Sequence, residues 1–326
     1  MHCFSRRKLL IAGAAALAQS VARSQPGRRR VYRVSIMHTA PLFNKAFVAR
    51  LNELGYVVGD NLRVEEAVDT NVADALARLP SAAAEAAQRR SDLIFAGGGA
   101  PVVRAIQNAA PATPLVMLFI DVDPVSAGLV KSFGHPGGNV TGIYSQNVAL
   151  AGKRLQLLKE AIPFVSRVAV LFDESTRDQL EAAREAATAL RMTLVVRERH
   201  GPNYDFDDAV RSAAKEGANA LLILSSAQFF DARSQISAIA RELRLPSMGN
   251  PLFADSGALL GYGPDFPAMF AKAAEYADKI LRGSRPADLA VDQADLPELI
   301  VNARTAAAIG IKLAPSFEAR AHRVIR

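Results

Sequence analysis

Tryptophan is absent from this 326-residue chain, and a single cysteine, Cys3, stands near its start. One thiol builds neither a disulfide framework nor a cysteine-based metal site. The five histidines, His2, His38, His135, His200 and His322, include no pair at metal-ligand spacing. There is no G-x-x-x-x-G-K followed by Ser or Thr, and no G-x-S-x-G. The glycine run AGGGAP (96–101) lacks the G-x-G-x-x-G order and the later acidic residue of a dinucleotide site. These absences argue against metal, nucleotide and nucleophile chemistry, and no cofactor is expected. Long apolar runs are missing too: beyond the first residues, none reaches the ~20 residues that span a bilayer. The one short basic run, Arg28 to Arg30, has no aromatics interleaved with it. It reads as a solvated linker, and no nucleic acid is expected as a partner.

What is present begins with a leader. Arg6, Arg7 and Lys8 precede a 14-residue, mostly apolar stretch from Leu9 to Ala22, and small residues Ser20 and Ala22 stand before a plausible cut ahead of Arg23. This is the three-part layout of a secretory signal, expected over residues 1–22. SRRKLL is also similar to the twin-arginine signal. The general export route and an uncleaved N-terminal anchor are the alternatives. Removal of the leader takes three positive charges from the formal net charge of +7 and leaves about +4. The expected location of the mature chain is the periplasm.

After a linker over 23–30, short apolar runs alternate with amphipathic stretches. Strands are expected at 31–38, 61–68, 92–98 and 114–120, with helices at 42–56, 72–90 and 101–109 between them. The alternation restarts after Tyr144. Strands follow at 167–173, 193–200 and 220–226, with helices at 150–163, 176–191, 205–217 and 229–244. The last segment has extended pieces at 257–263 and 296–302 around a helix at 265–283. Such alternation predicts an α/β chain of two doubly wound parallel-sheet lobes. The chain is expected to cross between them more than once. One lobe takes 31–145 plus about 264–290, the other 146–263 plus about 291–326.

Several residues fall where ligands bind in such sheets, at the carboxyl ends of strands. AGGGAP ends a strand and opens a helix, so it is either an anion-binding turn or a tight turn that needs glycine. His38 ends the first strand, as a contact or a structural residue. In DVDPVSAGLVKSFGHPGGNVTG (121–142), Asp123-Pro124 reads as a helix N-cap with Pro at the first helical position, which predicts a helix over 125–133. Asp123 is equally placed to face a ligand amine. HPGGN (135–139) then turns the chain into a strand leading to the second lobe.

The run D-P-V-x-A-G-L-V-x-S-x-x-x-P-G-G-N-V-T-G, here 123–142, resembles the ABC-transporter substrate-binding proteins that include tryptophan and tyrosine binders. The resemblance continues through GKRLQLLKEAIPFVSRVAVLFD (152–173), LPSMGNPLFADSGALLGYGPD (245–265), AAEYADKILRG (273–283) and LIVNARTAAAIGIKLAPS (299–316). It implies a type 1 periplasmic-binding-protein fold with three crossovers and a ligand in the cleft between the lobes. It implies contacts at His38, Thr39 and Pro41, at Gly98, Gly99 and Ala100, and at Asp123 and Thr141. From the second lobe it implies Asp173, Ser226, Asn250 and Phe253. Ala100, Ser226 and the residues after Phe172 depart from the family pattern, as does Pro251. The implied role is a non-enzymatic, monomeric receptor that hands a small solute, first of all an aromatic amino acid, to an ABC permease and its ATPase. A ligand-sensing subunit for a signalling partner and a doubly wound enzyme are the alternatives.

Overall fold

The computed structural model describes residues 30–326 except 38–40, 68–71, 202–203 and 295. The leader, all of the linker but Arg30, and His38 and Thr39 lie outside the described residues.

Runs of buried apolar residues make the strands of two sheets. In the first unit β1 (Tyr32–Met37), α1 (Pro41–Glu53), β2 (Leu62–Ala67), α2 (Val72–Gln88), β3 (Leu93–Gly98), α3 (Ala100–Ala109), β4 (Leu115–Ile120) and β5 (Val140–Ser145) follow in turn. The chain then enters the second unit through α4 (Val148–Ala161), β6 (Arg167–Phe172), α5 (Arg177–Ala189), β7 (Thr193–Glu198), α6 (Phe206–Lys215) and β8 (Ala220–Ile223). It continues with α7 (Ala227–Asp231), α8 (Arg233–Glu242), β9 (Ser247–Gly249), α9 (Pro251–Asp255) and β10 (Leu260–Gly263). Then come α10 (Phe266–Leu281), β11 (Asp292–Gln293), β12 (Glu298–Asn302), α11 (Ala303–Ile309), α12 (Pro315–Glu318) and β13 (Arg323–Ile325).

The first sheet has the order β11-β5-β4-β3-β1-β2 and is parallel throughout; the second has the order β13-β12-β10-β9-β8-β6-β7, with only the β10–β12 pair antiparallel. Strands buried on both faces explain the near-continuous apolar runs such as LVMLFI at β4. Helix α10 returns to the first unit: Arg50 of α1 donates to Glu275 at 2.8 Å, and the Tyr56 hydroxyl donates to Asp278 at 2.9 Å. The chain therefore crosses between the sheets after Ser145, after Gly263 and after Gln293.

Two expected helices are built differently. Residues 125–133 form turns, because one turn held by Asp123 meets Gly128 in the left-handed region at φ 66° and Lys131 then bonds Pro136 across the loop. Residues 229–244 split at Ala232, whose backbone (φ −87°, ψ 4°) ends α7 and begins α8.

Phenylalanine does the packing that tryptophan does elsewhere. Phe47 stacks on Phe95 with centroids 4.2 Å apart, and Phe270 meets Phe95 edge-on at 5.3 Å. The aromatic cluster passes from one unit to the other, since Phe43 of α1 meets Phe230 of α7 at 5.4 Å and Phe230 meets Phe266 of α10 at 5.3 Å. A cavity of about 230 Å³ opens beside this contact, walled by Phe43 and Ala46 of α1, Leu252 of α9 and Pro267 of α10.

One cap ties the last segment to the rest. Buried Asn302 accepts from the Thr305 amide and donates to the Ala254 carbonyl, both at 2.9 Å. Asn302→Ala removes a cap and leaves a buried carbonyl unpaired, so it is expected to lower stability by roughly 2–3 kcal/mol, read from a denaturant titration.

Candidate ligand cleft and hinge

The carboxyl ends of β4 and β8, one from each sheet, meet through side chains, and most of the described expected site residues follow carboxyl ends of strands in one sheet or the other. On the first side β3 ends at Gly98 (φ 142°), and Gly99 caps α3 in extended backbone with Pro101 in the first turn. Gly98, Gly99 and Ala100 are half-buried. Pro41 opens α1 at the end of the same sheet. Asp123 uses Oδ1 to accept from the Val125 amide at 2.8 Å and the Ser126 amide at 3.1 Å. These bonds, Ser126's first, hold its carboxyl below the usual range. Asp123 is thus a turn cap whose carboxylate stays ionised at the rim.

Thr141 sits apart from this group. It is the second residue of β5, at the amino end of the strand, and its hydroxyl donates to the Leu289 carbonyl at 2.7 Å. At ~3.3 Å per residue, it stands about 13 Å from the carboxyl edge at Ser145.

On the second side Asp173 follows β6. Its Oδ1 accepts from the Ser175 hydroxyl at 2.6 Å, its amide donates to Thr176 Oγ1 at 3.0 Å, and its buried Oδ2 has no partner. Ser226 caps α7 by accepting from the Phe229 amide at 3.3 Å. Asn250 caps α9 by accepting from the Leu252 amide at 3.1 Å, while its buried Nδ2 is unpartnered. Phe253 is fully buried, packed on Gly249 and facing Phe230 at 6.4 Å between centroids. Helix α9 lies close on β10, because a Cβ at Gly261 would stand 2.8 Å from Pro251 Cα.

The link between the two sides is a residue outside the expected set. Asp121 ends β4 with a left-handed backbone, φ 54°, uncommon for a non-glycine residue. Its Oδ1 accepts from the Asn147 amide and, at 2.8 Å, from the Val148 amide, where the first crossover enters α4. Its Oδ2 accepts from Gln179 Nε2 of α5 at 3.1 Å. Gln179 also donates to the Ser225 carbonyl at 3.2 Å and accepts from the Ser225 amide at 2.9 Å. Burial pushes the Asp121 carboxyl up, opposed by these amide bonds, by Gln179 and by the positive charge of Arg154. A strand end of the first sheet is thereby fastened, through one carboxylate and one side-chain amide, to a strand end of the second.

Arg154 was equally outside the expected set. It lies on α4, entirely buried, and donates through Nε to the Tyr262 carbonyl at 2.7 Å. Its position among Ala151, Leu155 and Leu158, the i, i+3, i+4 stripe of the helix, is the sequence signal that marks it as inward-facing. Asp121 carried a weaker signal, a polar residue directly after a buried strand. Gln179 carried none.

Among the described residues no group of three or more His, Cys, Asp or Glu is placed to hold a metal ion, and no helix is long and apolar enough to cross a membrane.

A family model described as ABC transporter substrate binding protein matches residues 39–325. The tyrosine-binding protein of Clostridioides difficile (strain R20291) is 27% identical over 272 residues, covering 82% of this chain and 76% of the relative. A conserved domain protein from Vibrio cholerae superposes with a TM-score of 0.74 at 23% identity, covering 91% of this chain and 99% of that one. A domain from Streptococcus pneumonia in complex with L-Trp gives 0.73 at 20% identity, covering 91% of this chain and 100% of that one. The ligand-free, open form of a substrate binding protein with adhesive properties from Clostridium difficile gives 0.60 at 25% identity, covering 91% and 99%.

Proposed function

The chain belongs to the ABC transporter substrate binding protein family, and on that premise we propose that it is an exported periplasmic receptor, monomeric, that captures a small organic solute between its lobes. It delivers the solute to an inner-membrane ABC permease driven by its ATPase. The solute is an amino acid, aromatic by first preference. The lobes are residues 31–145 with about 264–293, and 146–263 with the remainder, because Asp292 and Gln293 pair with β5.

The observation that carries this reading is the fastening of Asp121, through Gln179, to Ser225 at the boundary between the sheets. Hinged receptors need contacts made in only one arrangement of the lobes, so that a ligand bridging the same gap shifts the balance between arrangements. The tyrosine-binding relative and the neighbour holding L-Trp support an aromatic amino acid as the first solute to test. The turn at Gly98, Gly99 and Ala100, with Asp123, lines the first side, and Asp173, Ser226 and Asn250 the second. Asp123 supplies the charge for a ligand amine. Thr141 acts from a distance by holding the crossing segment at Leu289, and Phe253 by supporting α9 beneath Asn250.

Titration calorimetry of the chain without its leader, against L-tyrosine and L-tryptophan, tests the reading. One-to-one binding with the ligand recovered chemically unchanged is expected. Asp123→Asn keeps an oxygen for the Val125 and Ser126 amides but removes the charge, and is expected to weaken amino-acid binding about tenfold. Absence of binding to both would remove the aromatic first choice, absence of binding to any amino acid would remove the solute class, and unchanged affinity in Asp123→Asn would reduce Asp123 to a cap.

A further inference from the structure

Among the described residues, one buried guanidinium, on α4 beside the crossover at Gly263, has no counterion in contact. Arg154 is 0% exposed, and Nη1 and Nη2 have no hydrogen-bond partner, although Nε is held by the Tyr262 carbonyl. Burying a guanidinium without pairing it is costly, and proteins retain such a group where something else meets it. Asp121 attracts it through space, yet Asp121 spends its oxygens on Asn147, Val148 and Gln179 and forms no ion pair with Arg154. Burial pushes Arg154 down to about 10, with Asp121 and then Tyr262 opposing, so it stays charged at neutral pH.

The free nitrogens are sealed from solvent and lie against a crossover glycine. Gly263 (φ 156°) begins the second crossover, and a Cβ built on it would stand 3.0 Å from Arg154 Nη2, 3.3 Å from Pro251 Cδ and 3.6 Å from Asn250 Cβ. Asn250, 0% exposed, whose Cβ lies beside the same glycine, has its own unpartnered donor, Nδ2. Two residues that flank one glycine at a crossover, one on α4 and one capping α9, therefore each carry a donor with no acceptor among the described residues to satisfy it.

We propose that Arg154 and Asn250 form a buried anion site at the floor of the cleft that receives the carboxylate of the solute. The planar guanidinium fork matches a carboxylate through two parallel N–H bonds. A monoanion there supplies the charge that Asp121 provides only from a distance. Gly263 keeps a Cβ from crowding Nη2. The site itself does not depend on the amino-acid reading above; only the identity of the natural ligand rests on it.

Thermal melts of the chain without its leader, at fixed ionic strength, test the site with formate, acetate and benzoate against chloride and the uncharged benzamide. At least one carboxylate is expected to raise the Tm of the wild type where benzamide does not, and Arg154→Met is expected to abolish that response. The ligand-free Arg154→Met protein is expected to melt no lower than the wild type, since the substitution removes an unpaired buried charge; a purely structural arginine would give a lower Tm and an unchanged carboxylate response. Arg154→Lys, which keeps the charge without the fork, is expected to retain a reduced response and serves if the methionine variant does not fold. Calorimetry then compares L-tyrosine with tyramine, which lacks the carboxylate. The wild type is expected to prefer L-tyrosine about a hundredfold, and Arg154→Met to lose the preference. A carboxylate response without binding of any amino acid would overturn the amino-acid reading alone. L-tyrosine binding untouched by Arg154→Met, or no carboxylate response in the wild type, would overturn the anion site.

Discussion

Gly142→Ala is expected to leave little or no folded protein. Gly142 lies in β5 opposite Met117 of β4, in the middle of the first sheet, with φ 151°. A Cβ there would sit 1.9 Å from the Met117 carbonyl oxygen and 2.7 Å from its amide nitrogen. These are backbone atoms of a central strand flanked by β3 and β5, so no side-chain rotation relieves the overlap. The strand must either break the β4–β5 ladder or push apart a core in which Met117 and Ile143 are fully buried. Backbone conformations rare for L side chains cost roughly 1–3 kcal/mol, and a lost ladder adds to that. A total of more than about 4 kcal/mol is a large part of the ~5–15 kcal/mol that holds a domain together. Insoluble expression, or a Tm lowered by at least ~8 °C, is the expected outcome. Gly138→Ala in the preceding turn has open space around its Cβ and is the control, expected within ~2 °C of wild type. A Gly142→Ala protein melting with that control would show that β5 does not hold this backbone in solution.

The same glycine shows what was legible in the sequence. The stretch from Asp121 to Gly142 crowds glycines and prolines beside polar residues. Its use is divided: Asp121 and Gly142 hold backbone no ordinary residue prefers, while Asp123 caps a single turn. The expectation of a helix over 125–133 came from the Asp-Pro start alone. It failed because a cap opens a helix but does not sustain one, and Gly128 turns the chain left-handed one turn later. Strands β3, β4 and β6 were legible because sheets covered on both faces leave unbroken apolar runs, whereas β1 alternates apolar Tyr32, Val34 and Ile36 with Arg33 and Ser35. The strand β9 was not legible, since its three residues, Ser247 to Gly249, are too few to show a period. The hinge cluster escaped for a different reason. Asp121 and Gln179 stand 58 residues apart, and nothing local in RDQLEAAREAATA marks Gln179 as more than a polar position on α5. Arg154 follows the exposed Lys153 in GKRLQLLKE and reads as a second surface cation unless the apolar stripe through Ala151, Leu155 and Leu158 is counted.

Gln179→Leu is expected to loosen the two lobes and to weaken solute binding about a hundredfold. The substitution removes the donor to Asp121 Oδ2 and both bonds to Ser225, leaving a carboxylate oxygen, an amide and a carbonyl to find water in a buried place. A bond to a charged group and a buried backbone pair together are worth about 3–4 kcal/mol. That loss falls on the arrangement in which Asp121 and Gln179 meet, so the population shifts toward arrangements in which they are apart. Apparent affinity falls with the fraction of molecules still competent to close. Small-angle scattering is expected to give a larger radius of gyration for the ligand-free variant than for the wild type. The effect depends on pH through Asp121. Its carboxyl is raised by burial, so its favourable contribution to the folded state is fully present below the unfolded value near ~3.9 and is lost as pH rises through the higher folded value. The Gln179 bond favours the ionised form and so limits that loss. Without it the folded pKa rises further, and the stability gap between wild type and Gln179→Leu is expected to widen as pH climbs through that window. Denaturant titrations at a series of pH values from about 4 upward measure the gap. A constant gap would mean that Asp121 is not the group Gln179 holds, and an unchanged radius with unchanged affinity would mean that the bridge does not govern closure.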